Sequence, residues 1–147
     1  MTRFHFCRST GIAAWFIRTF TMSYWNHVAV EVDGIIWQAT GGKGVHRTSY
    51  KDMAKHYHTI ESVAVVVPDP VAGKAWLIEQ EGKLYDWGAV LGMFFQAEWQ
   101  SANRWFCSEK CAGYLKASKW ELRLPLYRVT PRDLWLALPT THTSTEE

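Results

Sequence analysis

Residues 27–40 read HVAVEVDGIIWQAT: two β-branched runs, His27–Val32 and Ile35–Thr40, on either side of Asp33-Gly34. Asp-Gly tolerates the positive φ that a two-residue turn needs, so this stretch predicts a tight β-hairpin. Such a turn sets Val32 opposite Ile35 and His27 opposite Thr40. Side chains alternate between faces, so His27, Ala29 and Glu31 share one with Ile36, Gln38 and Thr40. Gln38 then lies diagonal to His27, where its amide can bond one imidazole nitrogen and fix the tautomer. That is the orienting role of the third member beside a Cys–His pair. Thr40 is the nearer but less capable alternative.

Working outward, Phe4–Arg8 reads as a strand closed by Ser9, Thr10 and Gly11. Ile12, Trp15, Phe16, Thr19 and Phe20 fall at helical spacing and predict a helix over 11–21. After the hairpin, Gly41 and Gly42 turn the chain and Gly44–Thr48 adds a third strand. Ser49 is placed to cap a short helix holding Tyr50, Met53 and Ala54. Ser62–Val67, almost all apolar, predicts a central strand covered on both faces. Pro68-Asp69-Pro70 ends it, and a helix follows over 71–82. Residues 85–95 read as a loop and an irregular helix, and 96–104 as a loop. Residues 105–119 form a clear helix, 122–129 a strand. Thr130-Pro131 opens a last helix that ends by Pro139. This order is α+β in one domain over 1–139, followed by a polar tail, 140–147.

Length and composition narrow the class. A chain of 147 residues with 48% hydrophobic residues holds one real core. Net charge is +2, from 16 basic and 14 acidic residues without a long like-charged run, so no nucleic-acid arm is signalled. Nine Trp, six Tyr and seven Phe supply large rings for a core or a cleft. Cys7, Cys107 and Cys111 are an odd number, and the last two share a helix face, which suits a reduced, cytoplasmic setting. Arg18 interrupts the apolar stretch near the N-terminus, which is too short to span a bilayer and has no cleavage site after it. A transient membrane-surface contact is compatible with that stretch.

Cys107 falls in the first turn of its predicted helix. Unpaired amides and the helix dipole favour a thiolate there, and a nearby imidazolium favours it further. The same amides can hold an oxyanion. One position thus offers nucleophile, activation and charge stabilisation, provided that His27 docks against it.

The strings Trp25-Asn26-His27-Val28-Ala29-Val30, Trp37-Gln38-Ala39, Tyr85-Asp86-Trp87 and Phe106-Cys107-Ser108-Glu109, in that order, resemble the permuted NlpC-type cysteine hydrolases, the YiiX/YebB-like group of papain-fold enzymes. In that group the His strand precedes the Cys helix. The resemblance spans roughly residues 24–115 and implies a papain-like, circularly permuted fold with a small antiparallel sheet packed against helices. It implies Cys107 as nucleophile, His27 as base and Gln38 as the polar third residue, a place often held by Glu or His. It sets Tyr85 and Trp25 on the substrate side. The implied reaction is hydrolysis of a peptide or amide bond without cofactor or metal. A lipid ester hydrolase or acyltransferase of the same fold is the alternative. Lys110-Cys111 departs from the apolar pair expected after the motif.

Each of these residues also has a plainer reading. A lone buried Cys is usually a small hydrophobe, and Cys7 and Cys111 are expected in the core. His46, His56, His58 and Asp52 match no compact zinc spacing and read as a solvated loop. Asp86 suits a helix cap before Trp87, Glu109 a structural place near a helix start, and Trp87, Trp99 and Trp105 a core cluster. Beside the hydrolase stand a non-catalytic binding module and, more remotely, a metal-dependent hydrolase working through the scattered histidines.

Overall fold

A computed structural model describes residues 1–85, 104–105, 107–126 and 129–139, with the side chains of Tyr85, Arg104 and Trp105 outside that description. Readings that fall on 86–103, on the Trp87/Trp99/Trp105 side chains and on the tail lie outside the described residues. The fold is a mixed α+β arrangement in which an open antiparallel sheet packs against helices. Its strands are β1 (Thr2–Arg8), β2 (His27–Val32), β3 (Ile35–Thr40), β4 (Gly44–Thr48) and β5 (Thr59–Val65), ordered β4-β3-β2-β1-β5. The short β6 (Leu84–Tyr85) and β7 (Arg104–Trp105) pair in parallel. The helices are α1 (Ile12–Thr21), α2 (Tyr50–Ala54), α3 (Pro70–Gln80), α4 (Cys107–Ala117) and α5 (Pro131–Ala137). Among the described residues no helix is long and apolar enough to cross a membrane.

The hairpin forms at the expected turn. Asp33 and Gly34 both have positive φ, 54° and 78°, the conformation that makes Asp-Gly favourable there. Val32 pairs with Ile35 as expected, but pairing stops at Val30↔Trp37, three rungs from the turn. Beyond that the two strands diverge like a fork.

Strand alternation gives the sheet two unlike faces. Phe4, Phe6, Val28, Val30, Val32, Trp37 and Ala39 join the main core with Leu77, Cys111, Tyr114 and Leu134, from α3, α4 and α5. The other face has a smaller cluster of Cys7, Ala29, Ile36 and Met53, with Tyr57 and Ile60 against it. Ser49 and Thr130 cap α2 and α5 as expected, and Asp69 caps α3. The Val-rich run differs from expectation. It is an edge strand, not a central one, burying Val63 and Val65 while Glu61 and Ser62 face solvent. An apolar run reports one buried face as readily as two. No strand forms over Leu122–Leu126, and Tyr127 and Arg128 lie outside the described residues.

Candidate active site at the sheet fork

The N-terminal half of α4 closes the fork. Cys107 through Leu115 are all buried, although the helix contains Ser, Glu and Lys. Buried polar groups need partners, and several of theirs are backbone groups. Cys111 Sγ points at the Val28 carbonyl, 3.7 Å away, and the Lys110 ammonium donates to the Trp37 carbonyl. The amides of Val28 and Ser108 hydrogen-bond toward the Cys107 sulfur. Ser108 Oγ donates to the Val129 carbonyl at 2.6 Å, tying α4 to the segment that leads into α5. Val28 directly follows His27, so the thiol docks on the strand position next to the histidine.

His27 and Gln38 lie on the face opposite the main core, and their side chains span the fork. His27 Nε2 and Gln38 Oε1 are 3.0 Å apart, the diagonal contact that the hairpin register predicts. Gln38 Nε2 is 3.2 Å from His46 Nε2, and His46 Nδ1 is 2.9 Å from the Gly44 carbonyl. A carbonyl only accepts, so His46 Nδ1 carries hydrogen. With a neutral ring, His46 Nε2 accepts from the Gln38 amide, which turns Oε1 toward His27. His27 Nε2–H is then the donor, and Nδ1 holds the lone pair. The network assigns the basic nitrogen. Tyr57 stacks on the His27 ring, centroids 5.2 Å apart and planes 5° from parallel.

Burial dominates the electrostatics. It pushes the Cys107 thiol up to about 12, against the Val28 and Ser108 amides and the Lys110 cation, which all favour thiolate. The dipole-based expectation of an acidic thiol is therefore overturned: desolvation of a fully buried sulfur outweighs the helix start. Burial, with Lys110 adding to it, takes His27 down to about 3, while Gln38 opposes. Both groups are neutral at rest. Lys110 itself is lowered by burial. Among the described residues no hydrogen bond joins Cys107 to His27, yet Cys7 and Tyr57, on the His27 side, both respond to a charge on Cys107.

Trp25 sits in the core against Phe6 and Trp135, with centroids 6.2 and 5.2 Å away, and its edge lines a hollow of about 390 Å³. The backbone of Tyr85 is in β6, beside β4. Cys7 and Cys111 are buried, as expected of core thiols. Among the described residues no three His, Cys, Asp or Glu side chains are grouped to hold a metal. His46 falls in the third strand expected over Gly44–Thr48, but the sequence reading gives it no link to Gln38. Its alternation with Gln38 across β3 and β4, Gln38↔His46 in register, is the signal that could have found it.

No family model matches this chain, and no curated protein or solved structure matches it.

Proposed function

We propose that the chain is a thiol hydrolase of peptide or amide bonds, built on the papain-like, circularly permuted plan that its motif order resembles. One observation carries the reading. The Gly44–His46–Gln38–His27 chain of hydrogen bonds leaves His27 Nδ1 as an oriented base at the fork where Cys107 docks on Val28.

In this reaction Cys107 Sγ attacks the carbonyl carbon and its proton passes to His27 Nδ1. The helix-start amide of Cys107, with a second donor, holds the oxyanion. Collapse of the tetrahedral intermediate expels the amine, which takes the proton from Nδ1, and water then hydrolyses the thioester by the same route. The neutral resting pair makes proton transfer concerted with attack. Lys110, a cation beside both groups, favours thiolate but disfavours imidazolium. Cys107 is fully buried, so the site opens before substrate reaches it.

The test is amine release from a panel of dipeptidyl coumarin amides, with a peptidyl chloromethyl ketone as a trap. Release that disappears in Cys107→Ala and His27→Ala, with the trap on Cys107 in the parent, is the expected outcome. Trapping that proceeds equally well in His27→Ala removes the reading and leaves the binding module. A second reading, action on acyl lipids, draws on one observation: α1 leaves Ile12, Trp15 and Phe16 exposed. Turnover of a short-chain lipid ester but of no amide would favour it.

A further inference from the structure

The smaller sheet face holds a second hydrogen-bonded constellation, away from Cys107. His5 on β1 lies opposite Ser62 on β5 and opposite Ala29 on β2, and the next same-face rung sets Arg3 opposite Glu31. His5 Nδ1 is 2.7 Å from Ser62 Oγ, and His5 Nε2 is 2.8 Å from Glu31 Oε2. A carboxylate accepts, so Nε2 carries the hydrogen and Nδ1 receives the Ser62 hydroxyl. The result is a Ser–His–Glu relay whose members come from three adjacent strands. The His5 side chain is almost wholly buried, whereas Ser62 is exposed on an edge strand. Above it is a groove of about 350 Å³ lined by Arg3, His5, Glu31, Ile36, Tyr50 and Ser62.

We propose that Ser62, His5 and Glu31 form a second nucleophilic centre that accepts the acyl group of small carboxylic esters on Ser62 Oγ. Ser62 Oγ attacks the ester carbonyl and its proton moves to His5 Nδ1, while Glu31 holds Nε2–H and stabilises the imidazolium. The carbon–alkoxide bond breaks, the alkoxide takes the proton from Nδ1, and acyl-Ser62 remains. Water, deprotonated by His5, then releases the carboxylic acid. Arg3 and Tyr50 line the same groove, and their side chains are assigned as donors to the oxyanion. Arg3 is half-exposed and pairs with Glu31 at 3.9 Å. Burial lowers the His5 pKa against the Glu31 bond, which keeps the ring in its basic form at neutral pH. This site shares no residue with the Cys107 centre, so either can fail alone.

The test uses the full chain carrying Cys107→Ala, mixed with p-nitrophenyl acetate and, separately, with an alkyl fluorophosphonate. The expected result is a stoichiometric burst of nitrophenolate, with the acyl or phosphonyl group located on Ser62 by peptide mass spectrometry. Ser62→Ala, a change at an exposed position, erases the burst. Glu31→Gln keeps the shape and slows acylation by about 10²-fold, the scale of general-base assistance. Adducts confined to lysines or the N-terminus overturn the proposal, as does a burst that survives Ser62→Ala. Acylation of Glu31→Gln at the parent rate, with an unchanged circular dichroism spectrum, overturns it too.

Discussion

His27 and His5 occupy neighbouring same-face positions in the register of β1 with β2, Cys7↔His27 and His5↔Ala29, and both rings are buried. His27 bonds a neutral amide, and the charge that acts on it most is the Lys110 cation. His5 bonds a carboxylate on one nitrogen and a hydroxyl on the other. Burial lowers both rings; at His27 a cation reinforces it, and at His5 an anion opposes it. Two imidazoles so close together are thus prepared differently. One is a neutral ring held by an amide, the other a ring whose charged form already has a counter-ion.

The largest expected effect separates the two chemically. His27→Ala should cut amide hydrolysis by at least ~10³-fold, the range of a lost general base, and leave nitrophenyl ester acylation of Ser62 unchanged. Loss of both activities together, in a chain that melts normally, would merge the two centres into one.

Next comes acid stability. His27 titrates near 6.5 when unfolded and near 3 when folded, so across that window the unfolded chain binds the extra proton. Stability is therefore full above about pH 6.5 and falls as pH drops toward 3. Urea unfolding at pH 7 and pH 4 should differ by on the order of 3 kcal/mol from this group. His5 is lowered in the same direction, with Glu31 opposing its burial, so His27→Gln should flatten the profile more than His5→Gln does. Equal flattening would remove the distinction.

Gly44→Ala should cost about 2 kcal/mol in the same assay. Gly44 has φ +66°, and a Cβ there would lie 2.1 Å from the Lys83 carbonyl oxygen. Its own carbonyl anchors His46, so the variant should also slow amide hydrolysis while sparing Ser62.

The smallest effect has opposite signs. Lys110→Met removes a buried cation whose desolvation is unfavourable and should raise stability by about 1 kcal/mol despite the lost bond to Trp37. The same change should slow amide hydrolysis, since the Lys110 charge then no longer favours thiolate over thiol. A stability gain with undiminished turnover would reduce Lys110 to a structural role.

Much of the scaffold was legible because local chemistry dictates it. Asp33-Gly34 set the hairpin, Ser49 and Thr130 set helix starts, and the diagonal from His27 to Gln38 followed from alternation. Two other features were hidden for physical reasons. An expected acidic Cys107 rested on the helix dipole, and only three-dimensional burial reveals that desolvation wins. The Ser62–His5–Glu31 relay joins residues unrelated in sequence, and it exists because β1 pairs with β2 and β5 at once. The alternation of Arg3, His5 and Cys7 with Phe4 and Phe6 puts the first three on one face of the strand, but names none of their partners.

The fork between β2 and β3 also bears on how the chain is made. Its loose backbone groups at Val28 and Trp37 are met by Cys111 and Lys110, 83 and 73 residues further along. On the ribosome the hairpin emerges long before those side chains exist. Until α4 has left the exit tunnel, the open end of the sheet presents bare carbonyls to water or to another nascent strand. The helix that carries Cys107 therefore also completes the sheet's own wiring, and the sheet's open end is closed only when that helix arrives.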